Sequence, residues 1–180
     1  MGPTTYALCQ KPVIGIVMWI TALCGFPPLF ADEPIALSRE GSTITREFEA
    51  PVDLKYPLNI DFEFESTQAR LDDSIVGYRF DANCWGNKRY DDIPERQREG
   101  LGRPMPFRVM IRHAADRAVV LDRVFDSLCI TSHRDNLKTR TIGWLELRRG
   151  QYTAEVTNLE AQAGLEHVVT RVSLVGGRFK

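Results

Sequence analysis

Apolar and polar side chains alternate along most of the chain after residue 43. The clearest stretch is 57–65, where Leu58, Ile60 and Phe62 alternate with amide and acidic side chains, and 43–50 follows the same period. A two-residue period is typical of a β-strand with one face on a core and the other in solvent. Both stretches therefore predict half-buried antiparallel strands.

The alternation continues towards the C-terminus and is punctuated by turn residues. It predicts a strand over 76–84 with Phe80 and Cys84 on its apolar side, a hairpin over 107–125, a second hairpin over 141–159 that turns at Gly150, and a closing strand over 166–175. About eight short strands predict an all-β fold, an immunoglobulin-like antiparallel β-sandwich. Tyr152 is either a tyrosine-corner residue of such a sandwich or simply an aromatic side chain that starts a strand.

A charged segment, 86–103, interrupts the strand pattern. Within "DDIPERQREG" an aspartate can cap a helical turn, Pro94 suits its first position, and Gly100 can end it in a left-handed conformation. Ile93 is the only apolar side chain apart from that proline, so little would hold a helix to the core. We expect one short, exposed helical turn inside a long surface loop.

The loop is also the candidate interaction surface. Tyrosine and arginine are the residues that most often anchor protein interfaces, and a loop of this length is uncommon in a compact domain. The alternative is a solvated loop without a partner. The predicted partner-binding residues are Lys88, Arg89, Tyr90, Arg96 and Arg98.

The N-terminus has the order of a secretory signal peptide. Lys11 precedes an apolar run over 13–26, and the small residue Ala31 precedes an abruptly polar sequence. The run is too short to span a membrane comfortably. We expect a signal peptide over 1–31, a single domain over 32–180, a periplasmic or cell-envelope location, and no stable membrane span after cleavage. Lipid attachment at Cys24 is the competing outcome, disfavoured by the bulky Leu23 before it.

Two cysteines, Cys84 and Cys129, remain after the predicted cleavage. An even pair in an oxidising compartment predicts a disulfide bond between them. A zinc site that adds His133 is the alternative, because Cys129 and His133 have a C-x3-H spacing. Such a site would need a fourth ligand, and none is evident in the sequence.

Charge and motifs exclude several other functions. The 23 basic and 24 acidic side chains are interleaved along the chain, whereas a nucleic-acid partner requires a clustered basic face. No nucleotide-binding loop, nucleophile motif or zinc-hydrolase motif is present, so we predict no catalytic residues, no metal and no cofactor. The acidic side chains Asp61, Glu63 and Glu65 fall on the predicted solvent face of a strand, which is a poor place for paired acid catalysis.

Three segments together resemble small secreted bacterial β-sandwich proteins of unknown function. They are "NIDFEFES", "DDIPERQREGLG" followed by "PFRVMIRH", and "GWLELRRGQYTAEVTNLEA", and the likeness covers most of residues 35–180. The resemblance implies an envelope domain without established catalytic residues. By analogy, one role of such a domain is that of an immunity protein, which neutralises a toxin delivered between bacteria.

The sequence thus predicts a non-enzymatic periplasmic module that binds a protein partner, with a bacterial toxin as the specific partner considered. The alternative is an envelope hydrolase that acts on cell-wall material through carboxylates and a histidine. That alternative requires several of Asp61, Glu63, His113, His133 and His167 to converge in one cleft. A third hypothesis, a subunit that donates or accepts a strand, requires a long unprotected sheet edge.

Overall fold

The structure is a computed structural model that describes residues 28–80 and 87–176. These residues form nine β-strands and one short α-helix. The strands are β1 (Phe30–Pro34), β2 (Thr43–Ala50), β3 (Leu54–Glu63), β4 (Met105–His113), β5 (Val119–Ser127), β6 (Ile130–Arg134), β7 (Leu137–Leu147), β8 (Gly150–Asn158) and β9 (Val169–Leu174). The helix, α1, is Thr67–Asp72, and two 3₁₀ turns lie at Tyr90–Asp92 and Glu95–Gln97.

The strands form two antiparallel sheets. One sheet has five strands in the order β1-β9-β3-β7-β6, and the other has four in the order β2-β8-β4-β5. Every strand pair is antiparallel. The predicted all-β sandwich is therefore confirmed.

Alternate side chains of the two sheets form the core. In β3, Leu58, Ile60 and Phe62 are fully buried, and Phe107 and Val109 of β4 are buried from the other sheet. Burying a side chain of this size contributes about 1.5–3 kcal/mol relative to leaving it exposed. The two-residue period of the sequence thus becomes the face that each strand turns inward.

The strand predicted over 76–84 is absent in its described part. Residues 76–80 form no strand, because Gly77 has a positive φ of 84° that ends any extended run. Val76 is buried, but Phe80 is 53% exposed instead of lying in the core. Cys84, at the end of that prediction, lies outside the described residues.

The sequence pattern missed three short elements, α1, β1 and β6, and placed one boundary inside a strand. It gave no signal for α1, whose residues are all at least partly exposed and whose first turn is capped by the Ser66 side chain. It also missed β1, where Phe30 is buried and packs edge-on against Phe48 at 5.9 Å. The predicted cleavage after Ala31 would remove Phe30 from that contact.

Tyr152 is the tyrosine-corner residue that the sequence suggested. Its ring is buried, and its hydroxyl donates to the backbone carbonyl of Arg148, four residues upstream, at 2.8 Å. Tyr56 makes the same kind of bond to the carbonyl of Val52 at 2.7 Å. Both bonds fix turns at the same end of the sandwich.

We expect Tyr152→Phe to lower the free energy of unfolding by about 1 kcal/mol, since it removes one hydrogen bond and keeps the ring. Urea titration of the variant beside the wild-type protein measures this difference. An unchanged midpoint with an unchanged slope would show that the corner hydrogen bond does not stabilise the fold.

Candidate partner-binding surface

A buried arginine joins the loops at one end of the sandwich. Arg140 lies on β7 with no exposed surface. Its guanidinium donates hydrogen bonds of 2.6–3.3 Å to five backbone carbonyls, those of Ile75, Val76, Leu101, Arg103 and Ser127. One side chain therefore connects three separate segments of the chain.

The charge of Arg140 is held by these carbonyls without a direct carboxylate partner in the described part of the chain. Burial lowers the pKa of Arg140 to about 9, and the nearby charge of Asp73 acts against that shift. A buried cation is tolerated when its hydrogen bonds are satisfied, and all three guanidinium nitrogens have acceptors here. Losing the side chain would remove this donor from the buried carbonyls of Val76, Leu101 and Ser127, whereas the Ile75 carbonyl would keep its bond from the backbone N–H of Arg103.

A buried ion pair fixes the turn that leads into residues 75 and 76, the first segment that Arg140 contacts. Lys138 Nζ lies 2.6 Å from Asp73 Oδ2, and both side chains are almost fully buried. Asp73 also accepts the backbone N–H groups of Ile75 and Val76 at 3.1 Å or slightly longer. Burial lowers the pKa of Lys138, while the hydrogen bond and charge of Asp73 oppose that shift. Asp73 thus holds the chain in the turn that leads to Arg140.

Two glycines allow the segments to touch backbone to backbone. Gly77 and Gly102 have φ values of 84° and 78°, which favour glycine. A Cβ on Gly77 would lie 2.7 Å from the carbonyl oxygen of Gly100, and one on Gly102 would collide with Arg140 and with the carbonyl of Ile75. No side chain fits between these two backbone segments.

The charged loop has a small apolar core of its own, contrary to the expectation that little holds it. Ile93 and Leu101 are buried together with Leu128 and Cys129, and Tyr90 packs against them. The predicted helical turn is present as the two 3₁₀ turns on either side of Ile93. The loop therefore packs against the sandwich at Tyr90 and Ile93 and again at Leu101.

The five residues predicted to bind a partner fall into two groups. Lys88, Arg89 and Arg96 are exposed. Tyr90 and Arg98 are half-buried: the Arg98 guanidinium lies 4.5 Å from the centre of the Tyr90 ring, and its Nε donates to the carbonyl of Ile93 at 2.7 Å. These last two hold the loop together, and the first three extend from it.

The exposed aromatic side chains beside the loop were not predicted. Tyr78 is 62% exposed and Phe80 is 53% exposed, and the Phe80 ring lies 5.3 Å from the ring of His133 on β6. The backbone N–H of Tyr78 donates to the carbonyl of Gly100 at 3.0 Å, which ties this segment to the loop. We refer to Tyr78, Phe80 and His133 as the aromatic surface.

Residues 32–176 match the family model of a domain of unknown function, DUF5625. The chain belongs to this family. Among curated proteins, none matches the sequence significantly. In fold, the DUF5625 domain is similar to the crystal structure of GEBA250068378 from Sulfurospirillum deleyianum, with a TM-score of 0.57 and 19% sequence identity over 83% of this chain and 98% of that one.

The DUF5625 domain does not bring the predicted hydrolase residues together. His113 stacks on Tyr152 at the opposite end from the loop, and His133 contacts Phe80. His167 lines a separate cleft beside α1. The three histidines therefore lie in three different places.

The two strand carboxylates of the hydrolase hypothesis, Asp61 and Glu63, have other partners. Asp61 accepts a hydrogen bond from Thr139 at 2.6 Å, and its pKa is raised chiefly by burial. Glu63 pairs with Arg171 at 2.5 Å. Neither carboxylate faces one of the three histidines across a cleft, so the required convergence is absent.

The structure describes only one of the two cysteines of the predicted disulfide. Cys129 is buried in the small apolar core, and Cys84 lies outside the described residues, so the disulfide stays a prediction. Within 28–80 and 87–176, no three His, Cys, Asp or Glu side chains are grouped as a metal site would require. No helix in the same ranges is long and apolar enough to cross a membrane.

Proposed function

We propose that this protein is a non-enzymatic binding module of the bacterial periplasm or cell envelope that engages a protein partner. The contact surface is the aromatic surface, extended by the exposed cations Arg89 and Arg96 of the adjacent loop. The observation that carries the proposal is that Tyr78 and Phe80, both more than half exposed, directly follow a backbone segment that is held by a buried arginine.

Exposed aromatic side chains on a fixed backbone suit a binding surface. Aromatic residues are enriched among the few that supply most of the binding energy at interfaces. Binding costs less when the contacting segment is already ordered. Asp73 and Arg140 hold the backbone of residues 75 and 76, and the Gly100 carbonyl accepts the N–H of Tyr78. This segment is therefore ordered before any partner arrives. The same contacts position the charged loop at the rim.

Export and the disulfide are part of the same proposal. The signal peptide over 1–31 would deliver the domain to an oxidising compartment, where Cys84 can join Cys129. Cys129 lies in the small core under the charged loop. A bond from Cys129 to Cys84 would fix the chain between Phe80 and Lys88, and so would stiffen the proposed surface.

The specific form of the proposal is an immunity protein that neutralises a toxin delivered between bacteria. It follows from the resemblance to small envelope proteins and from the lack of convergent catalytic groups among the described residues. Deletion of the gene should then make cells sensitive to their own parent strain in mixed culture. Equal survival of the deletion strain would contradict the immunity role but not the general proposal of partner binding.

Site-specific photocrosslinking in the producing bacterium tests the general role. Phe80 is replaced by the photoreactive amino acid p-benzoylphenylalanine, and Val124, 51% exposed on β5 of the other sheet, is replaced in the same way as the matched control. We expect one discrete adduct at position 80, with a single protein identified by mass spectrometry, and none at position 124. No adduct at position 80, or the same adducts at both positions, would overturn the proposal.

A further inference from the structure

A cleft opens between the two sheets at the end of the sandwich that the aromatic surface does not use. Its volume is about 780 Å³, within the range of small-molecule sites. It is formed where β3 begins, β4 ends, β5 begins and β7 turns into β8. Among the residues that line it are Leu54, Lys55, His113, Leu147, Arg148 and Tyr152.

The floor of the cleft is apolar and aromatic. Leu147 and Tyr152 are buried, and Leu54 is partly buried beside them. The ring of His113 stacks on that of Tyr152 at 4.9 Å with an interplanar angle of 26°, and Tyr152 in turn stacks on Phe48 at 5.7 Å. His113 thus ends a stack of rings that extends from the core to the cleft.

The rim of the cleft has more available positive than negative charge. Lys55, Arg148 and Arg149 supply three cations, and Asp53 and Glu146 supply two carboxylates. Asp53 already accepts the backbone N–H of Arg149 at 2.7 Å. Glu146 and Lys55 lie 4.0 Å apart and are 81% and 66% exposed, so this pair is weak and Lys55 can exchange Glu146 for another anion.

We propose that this cleft binds an amphipathic anion, a molecule with a carboxylate or phosphate head and a short apolar body. The apolar body would lie on Leu54, Leu147 and the exposed face of the His113 ring. The head would lie at the rim between Lys55, at the start of β3, and Arg148, in the turn between β7 and β8. A free amphipathic small molecule and an anionic envelope lipid both have this chemistry.

The cleft is separate from the aromatic surface. Leu147 lies at the cleft, whereas Lys138, at the other end of β7, pairs in register with His133 of the aromatic surface. Nine strand residues at ~3.3 Å each separate the two positions by about 30 Å. Failure of one proposal therefore leaves the other testable.

The three histidines give a site-specific readout, because each lies in a different place. Proton–carbon NMR of the histidine rings is recorded at fixed pH while octanoate or octyl phosphate is added to the full domain. We expect the His113 signals to shift saturably and the His133 and His167 signals to stay. Inorganic phosphate alone and 1-octanol alone, which lack one half of the chemistry, should shift His113 far less. Equal shifts of all three rings, or none, would overturn the proposal.

The source of the anion is distinguished with vesicles. Cosedimentation with phosphatidylglycerol vesicles, lost when octyl phosphate competes, would identify a lipid head group as the ligand. Binding of the soluble anions without cosedimentation would identify a free small molecule. Both outcomes support the site, provided that His113 reports it.

A charge-removal variant completes the test. Lys55→Ala combined with Arg148→Ala should weaken octyl phosphate binding about fivefold or more, since two exposed cations are lost. The Tyr152 hydrogen bond is made to the backbone of residue 148, so the fold should survive this change. Arg134→Ala, an exposed arginine on β6, is the matched control and should leave the affinity unchanged. Equal affinity of all three proteins would contradict the assigned head-group position.

Discussion

Replacing Arg140 by methionine is expected to lower the free energy of unfolding by about 3–5 kcal/mol, because several buried carbonyls lose their donor and each costs about 1–3 kcal/mol when unpaired. Methionine keeps much of the volume but donates no hydrogen bond. The carbonyls of Val76, Leu101 and Ser127 would then remain buried without the donor they have now. Urea denaturation followed by circular dichroism measures the loss.

A second arginine provides the control for this experiment. Arg108 also makes two short hydrogen bonds, of 2.7 and 2.8 Å, but to Asp122 on the exposed face of the other sheet. Exposed ion pairs contribute little to stability, so Arg108→Met should leave the midpoint nearly unchanged. Arg140→Lys should be intermediate, because an ammonium has fewer donors in a different geometry. Equal effects at positions 108 and 140 would contradict the structural role of Arg140.

Gly102→Ala is expected to be about as damaging as the loss of Arg140. The added Cβ would collide with the Arg140 guanidinium and would lie 2.6 Å from the carbonyl oxygen of Ile75. The residue also has a positive φ, where alanine alone costs about 1–2 kcal/mol. We expect a total loss of about 3 kcal/mol or more, measured by the same urea titration.

Gly41→Ala separates the two contributions. Gly41 has nearly the same φ, 76°, but a Cβ there would meet nothing within 4 Å. The Gly41→Ala variant should therefore lose only the free energy of unfolding that the positive φ costs, about 1–2 kcal/mol. If the variants at 41 and 102 lose the same stability, the close contact between the 102 backbone and Arg140 is not as the structure has it.

The sandwich could be predicted because its strands are half-buried. Each strand has one face on the core, so the two-residue period appears directly in the sequence, as in β3. Tyr152 could be recognised for a similar reason, since its position after the Gly150 turn is set by local chemistry. The helix α1 could not, because no side chain in it is buried to impose a pattern.

Arg140 and Lys138 are charged residues on the apolar face of a strand, and the sequence pattern shows this. On β7 they share a face with Ile142, and all three are buried. Charged residues on the apolar face of a strand indicate either a wrong register or a buried polar network. Their partners could not be found from the sequence, since the nearest is 13 residues away and the others lie between 37 and 65 residues away.

The aromatic surface was missed because alternation was extended through Gly77. Tyr78 and Phe80 have the same parity as the buried Val76, which placed them in the core. The positive φ of Gly77 ends the alternation of buried and exposed side chains, and both rings are exposed. A glycine inside an alternating pattern is therefore a position where the alternation can end.

Binding of a protein partner by the aromatic surface is tested most directly by the affinity of the purified domain for the protein that is crosslinked at position 80. We expect a one-to-one complex that the double variant Tyr78→Ala, Phe80→Ala weakens about 100-fold or more, as expected when two anchoring residues are lost, while Val124→Ala binds like the wild-type protein. Unchanged affinity of the double variant, with an unchanged fold, would contradict the claim.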